Sequence, residues 1–326
     1  MAAVSNAPSS AARVAARPAG GSAARPAGLR AGKAPGSRRH VAAPWWFLIP
    51  ALVFYVFVVL IPSARGAYFA FTNWNGLSRV QQFVGLANFR AILHDPAATG
   101  AIEHTVFIAV AVTIAQNVAG LLLALGVTSK IKSRNALRVL FFAPSVVAPV
   151  ATGYLWQYLL SPTGALNTLL HAVGLGFLQQ DWLGNPSLVL WSIVGVIVWQ
   201  FAGYSMVIFI AGLQSIPGEV LEAAVVDGAN RWRRFWRITF PLLRPAVVIN
   251  MMLSIIGGLK LFDQVWVMTS GGPGYASETM STLIYKNAFQ FGEYGYSVAM
   301  ALVLTVFVAV LSGAQYRLLF ARRRPR

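Results

Sequence analysis

The sequence predicts an all-α polytopic membrane protein with six transmembrane helices and an extended loop on the cytoplasmic side. Three observations carry this. First, the 326 residues are 57% hydrophobic and only 11% charged, with a mean hydropathy of +0.62. Soluble domains carry about 25% charged residues, so this surface is built for lipid. Second, six apolar runs each approach the ~20 residues that a helix needs to cross the hydrocarbon core. They are continuous rather than alternating with period two, which favours helices over a barrel. Third, the basic residues fall in four clusters separated by pairs of spans.

Residues 1–43 are rich in Ala, Pro, Gly, Ser and Arg and hold almost no large apolar side chain. They read as a disordered, basic cytoplasmic tail. Residues 44–320 form the transmembrane domain, and 321–326 a short basic cytoplasmic tail. The expected spans are Trp45–Ala64, Thr105–Val127, Val139–Leu160, Leu188–Leu213, Ala246–Met268 and Ser297–Phe320. The first reads as an uncleaved anchor. The tail before it is too long for an ordinary signal-peptide n-region, and Ile61 to Arg65 is a poor cleavage site.

Arginine and lysine set the orientation. They crowd the N-terminal tail, the loop with Lys130, Lys132, Arg134 and Arg138, the loop with Arg231, Arg233, Arg234, Arg237 and Arg244, and the C-terminus. The other side holds only Arg65, Arg79, Arg90 and Lys286, against Asp95, Asp181, Glu278 and Glu293. Both termini are therefore expected in the cytoplasm of a plasma (inner) membrane protein. The net charge of +17 becomes a topology signal, and nucleic acid is not an expected partner. With no cysteine, disulfides and thiolate metal sites are excluded. The scattered histidines His40, His94, His104 and His171 show no metal-ligand spacing. No catalytic site, metal or cofactor is expected.

The loop at 215–245 is a polar island. Pro217 suits a first helical turn, Glu219 and Glu222 complement the helix dipole, and Gly228 suits the stop. These features predict a helix over 217–227. Ala223 and Ala224 let another surface approach the backbone, and Glu222 beside them offers a strong acceptor. A second helix is expected from Asn230 to Phe240. Trp232, Phe235, Trp236 and Thr239 form one stripe, with Arg231, Arg234 and Arg237 away from it, as in an interfacial amphipathic helix. Pro241 and Pro245 should end it and restart the chain as the fifth span. A plain cytoplasmic surface loop would account for the helices, but not for the whole combination of residues and intervals.

That combination resembles the signature loop of binding-protein-dependent ABC importer permeases: Glu-Ala-Ala, three residues, Gly, nine residues, Ile, any residue, Leu, Pro. Here it is met at Glu222, Ala223, Ala224, Gly228, Ile238 and Pro241, with Phe240 in place of the usual Leu. Further stretches look like the carbohydrate type, for oligosaccharide or glycerol phosphate, and its first-type permease subunit. They are Leu213 to Pro217, Phe71-Thr72-Asn73-Trp74, Val84 to Phe89, and Gly271-Gly272-Pro273 with Tyr285, Ala288-Phe289 and Gly295-Tyr296 beyond it. The resemblance covers about residues 44–320. It implies half of a channel, completed by a second homologous permease subunit and driven by separate ATP-binding ABC subunits. An extracytoplasmic solute-binding protein would deliver a sugar or sugar-like solute. Glu222, Ala223, Ala224, Asp227, Gly228, Ile238 and Pro241 would then couple the ATPase to the spans. The chain has no phosphate-binding Gly-x-x-x-x-Gly-Lys-Ser/Thr loop, so it is expected to be a transport subunit and not an enzyme.

For the solute path, polar residues inside spans are the candidates, because they are costly there. They are Gln200, Tyr204, Asn250, Lys260 and Asp263, with Gln157 as a further polar group. Trp199, Phe262 and Trp266 could stack on a sugar, or only pack. Lys260 and Asp263, three apart, could pair on one helix face. That pair would serve as a salt bridge, as part of the path, or as the ion relay of an ion-coupled secondary transporter, the alternative function.

Overall fold

The structure is a computed structural model and describes residues 45–129 and 132–320. The two expected tails, 1–43 and 321–326, lie outside the described residues. The chain divides into Met1–Ala51 and Leu52–Arg326. Of the first unit, the described part is a 3-10 turn at Trp45–Leu48 and the start of a helix. Within it the Trp46 and Phe47 rings stack with centroids 4.3 Å apart.

The described residues are helical apart from loops and one isolated β-bridge, Thr72 to Phe83. Five helices are long and apolar enough to cross a membrane, or six if one bent pair counts as a span. They are α1 (Trp46–Phe69), α3 (Pro96–Thr128), α7 (Val189–Gln214), α9 (Arg231–Leu259) and α12 (Tyr294–Phe320). Between them lie α2 (Ala87–His94), α4 (Arg134–Phe142), α5 (Pro149–Leu159), α6 (Ala165–Ala172), α8 (Gly218–Val226), α10 (Asp263–Thr269) and α11 (Met280–Phe289). The all-α, polytopic class is as expected.

The third span departs from the expectation of one continuous helix. Residues Arg134–Val146 and Pro149–Leu159 meet at 97°. The cause is local. Pro144 sits in a 3-10 turn, and Val147 and Ala148 are extended (ψ 135° and 136°). A residue before proline is driven out of the α region. Irregular backbone at membrane depth needs internal partners, and the Val147 carbonyl receives one from Gln200 Nε2 at 3.0 Å.

The fifth span is displaced from its expected bounds. It starts at Arg231 and ends at Leu259, so Pro241 and Pro245 do not separate an interfacial helix from a span. A π-helical turn at Phe235–Thr239 precedes Pro241. Another at Val56–Leu60 precedes Pro62 in α1. In regular α geometry a proline ring strikes the carbonyl four residues back. The wider turn takes up that misfit, and the helix continues. The arginines and the Trp232–Trp236 pair (centroids 5.6 Å apart) thus belong to the first turns of the span itself.

α3 and α7 form the densest packing, through Ile108, Val112, Val189, Ile193 and Ile197. α9 closes against α3, where a Cβ on Gly258 would stand 2.7 Å from Ala109 Cα. At the end where α3 and α12 begin, Asn88 Nδ2 donates to the Ala70 and Thr72 carbonyls at 2.8 and 2.9 Å. Asp95 caps α3 through Ala97 N at 2.9 Å and accepts from the Tyr296 hydroxyl at 2.9 Å. The Phe71 to Trp74, Val84 to Phe89 and Gly295-Tyr296 stretches thereby meet in one place.

Candidate functional site: a capped surface helix and a chamber at the end of α9

The polar island folds as a helix with a defined start and a closed far end. α7 ends at Gln214, Ile216 is buried, and Pro217 is extended (ψ 133°) before α8. At the far end Gly228 has φ +75°, the left-handed conformation glycine adopts without penalty. Gly228 N–H donates to the Val225 carbonyl at 3.0 Å, and Ala229 N–H to the Ala224 carbonyl at 2.9 Å. This pair of bonds is a Schellman motif. Asn230 then caps α9 by accepting from Arg233 N–H at 2.8 Å. The two helices therefore meet across four residues, Asp227 to Asn230, with the facing end groups capped, which fixes the angle between them.

The island presents one face and buries the other. Ala224 is 5% exposed. Glu219, Glu222, Ala223 and Asp227 are exposed, and Val226 is 87% exposed. None of these carboxylates has an ion pair among the described residues. Ile238 is half-buried in the π turn and Pro241 is exposed just after it. The face carries acidic groups around small and apolar ones.

A second feature lies where α9 ends. Lys260 terminates the helix, Phe262 departs from helical geometry (φ −129°, ψ −59°), and Asp263 begins α10. Lys260 and Asp263 are thus not on one helix face, and the only ion pair among the described residues is Lys286 with Glu278. The expected Lys260–Asp263 salt bridge is corrected on that ground: the helix break sends the two side chains along different axes. Both line a chamber of about 380 Å³, with Tyr204, Phe201, Phe262 and Gln116 among its other walls.

Of the five path candidates, the chamber brings together Tyr204, Lys260 and Asp263. Gln200 and Asn250 do not line it. Gln200 is fully buried, donating to Val147 O and accepting from Gln264 Nε2 at 3.0 Å. Asn250 is fully buried and accepts from the Ser205 hydroxyl at 3.1 Å. Gln157 is exposed and reaches the Met268 carbonyl at 3.4 Å. Sequence reasoning missed Gln116 and Ser254, whose small polar signal inside long apolar runs was outweighed by the ionisable pair.

Known proteins place this arrangement. The family model described as "Binding-protein-dependent transport system inner membrane component" matches residues 116–324, and the chain belongs to that family. It is a multi-pass inner-membrane permease subunit of an ABC importer, a transport component rather than an enzyme. One relative is the "Probable starch degradation products transport system permease protein AmyD" of Thermoanaerobacterium thermosulfurigenes. It is 36% identical over 271 residues, covering 83% of this chain and 91% of that protein. Another is the "Multiple sugar-binding transport system permease protein MsmF" of Streptococcus mutans, 32% identical over 84% of this chain and 94% of that protein. A crystal structure of "a bacterial ABC transporter involved in the import of the acidic polysaccharide alginate" has the same fold. Its TM-score is 0.75 at 21% identity, covering 86% of this chain and 96% of that one. Family membership sets aside the ion-coupled secondary transporter.

Proposed function

We propose that this permease imports a sugar or sugar-like solute, with α8 as the contact that receives force from a separate ATPase. The sugar reading draws on the relatives for starch degradation products and multiple sugars. The glycerol phosphate option draws on a relative named as an sn-glycerol-3-phosphate transport system permease, 31% identical over 84% of this chain. A second homologous permease completes the channel, and an extracytoplasmic binding protein delivers the solute. In this reading residues 215–245 and both termini are cytoplasmic. The chamber bounded by Tyr204, Lys260 and Asp263 lies on the solute path, where aromatic rings and ionic groups suit a polyol.

The observation that carries the coupling role is the turn between α8 and α9, capped on both sides, with the unpaired acidic face of α8 beside it. Glu222 offers a charge-assisted acceptor, Ala223 lets the partner approach, and Gly228 fixes the direction in which α9 leaves. The test replaces Glu222→Ala and Gly228→Val singly and measures assembly with the ATPase subunits and ATP-driven uptake in vesicles. Glu222→Ala should weaken assembly about tenfold, as for loss of one charge-assisted hydrogen bond of roughly 1.5 kcal/mol. Gly228→Val should leave α8 formed but misdirected, with uptake lost. Uptake at the native level in both variants would remove α8 from the coupling role.

A further inference from the structure

A chain of polar side chains runs through the membrane-spanning core between α3, α7 and α9. Gln116 Nε2 donates to Ser205 Oγ at 2.8 Å, and Ser205 Oγ donates to Asn250 Oδ1 at 3.1 Å. One turn further along α9, Asn117 Nδ2 donates to Ser254 Oγ at 3.1 Å and to the Thr113 carbonyl at 2.7 Å. Ser254 Oγ in turn donates to the Asn250 carbonyl at 2.7 Å. Two groups in this cluster are left over. Asn250 Nδ2, a donor, and Asn117 Oδ1, an acceptor, are both buried without a partner.

That remainder is informative. An unpaired buried amide group is costly in any core and more so in lipid. Here the orphans are one donor and one acceptor, each suited to the other. The packing register also places them opposite. α3 and α9 run antiparallel with Gly258 against Ala109. Stepping four residues along each helix, in opposite directions, brings Ser254 level with Thr113 and then Asn250 level with Asn117. Between them the Asn117–Ser254 bond already spans the same interface.

We propose that Asn250 is the moving contact of a two-position latch. In the present arrangement its side chain is held by Ser205 of α7. In the other conformation of the transporter it turns to α3, and Asn250 Nδ2 donates to Asn117 Oδ1. α9 connects the two functional regions without interruption, from the capped turn after α8 to the chamber wall at Gly258 and Lys260. Asn250 lies on that helix between them. A rotation of α9 driven from its first turn therefore exchanges one hydrogen bond for another at Asn250, and packed cores favour two discrete arrangements over a continuum. The latch rests on the proposed coupling at α8.

The test uses the transporter reassembled with its ATPase subunits in lipid nanodiscs. Ser205→Ala removes the present hold and should raise ATP hydrolysis in the absence of solute roughly fivefold. Asn117→Leu removes the second hold and should lower it by a similar roughly fivefold factor, the size of one interhelical hydrogen bond in a membrane. A merely structural network would lower activity in both variants, and changes of the same sign would overturn the latch. A structure of the unmutated complex trapped with ATP gives a check that does not depend on the variants folding. It should show Asn250 Nδ2 within bonding distance of Asn117 Oδ1. The Ser205–Asn250 bond kept in that state, or a fixed water bridging the two amides in both states, would equally overturn it. Absence of ATP-driven uptake by the unmutated complex would instead sink the coupling reading. Intact uptake with same-sign variants sinks only the latch.

Discussion

Gly257 and Gly258 are neighbours in sequence and opposites in surroundings. A Cβ on Gly258 would press on Ala109 at 2.7 and 3.1 Å, whereas one on Gly257 meets nothing within 4 Å. Gly258→Ala should push α9 off α3 and lower the unfolding temperature, an overpacking cost of ~1–3 kcal/mol. Gly257→Ala should leave it unchanged or slightly raised, since alanine is the better helix former. Thermal unfolding of the two variants in detergent checks this, and equal melting points would remove the close approach from the account. At this scale the sequence was readable where chemistry is local. Gly228 stops α8 as its position implied, and Glu222 stands exposed beside Ala223. It was unreadable where a side chain's partner is far along the chain. Gln200 and Asn250 look the same in sequence as solute-binding amides, yet their partners are Val147, Gln264 and Ser205, which only the packing brings near.

Elements show the same division. From sequence, Ser270-Gly271-Gly272-Pro273-Gly274 reads as a tight, non-helical bend, followed by a short helix through Tyr285 to Phe291. The structure has Ser270, Gly271, Gly274 and Tyr275 at positive φ, followed by α11. What the sequence left hidden is its anchor. Glu278 has no solvent exposure and pairs with Lys286, which is 15% exposed and also lies 5.6 Å from the Tyr275 ring centre. Glu278→Gln should cost ~3–5 kcal/mol, because it strands the lysine. The double variant Glu278→Gln with Lys286→Met should recover part of that loss. Limited proteolysis within 269–279 and thermal unfolding read both effects, and a double variant worse than the single would contradict the pairing. Helix continuity was the weakest inference. Prolines at 144 and 149 break the third span, whereas those at 241 and 245 leave the fifth intact, because a π turn precedes Pro241 and widens the backbone for it. Hydropathy sees apolar length and is blind to that accommodation.

For the whole molecule, the all-α class and five of the six expected spans followed from composition and apolar runs, while the bend that breaks the third needed coordinates. Orientation rests on arginine and lysine alone, and the chain offers a clean way to test it. It contains no cysteine, so single reporters have no background. Val226→Cys, on the face of α8 at 87% exposure, should react with a membrane-impermeant maleimide only after the membrane is opened. Leu77→Cys, 93% exposed in the loop after α1, should react in intact cells. Reaction of both from the same side would overturn the six-crossing topology.

One continuous rod, Arg231 to Leu259, has a consequence for how such a machine keeps time. Its 29 residues extend about 44 Å at 1.5 Å per residue, and the helix runs unbroken through the π turn and both prolines. Under the proposed coupling, a displacement received at one tip would be carried along a single helix to the chamber at the other, so that opening of the solute compartment keeps step with the nucleotide cycle. Softening the rod along its length should then make hydrolysis idle while cargo stays put.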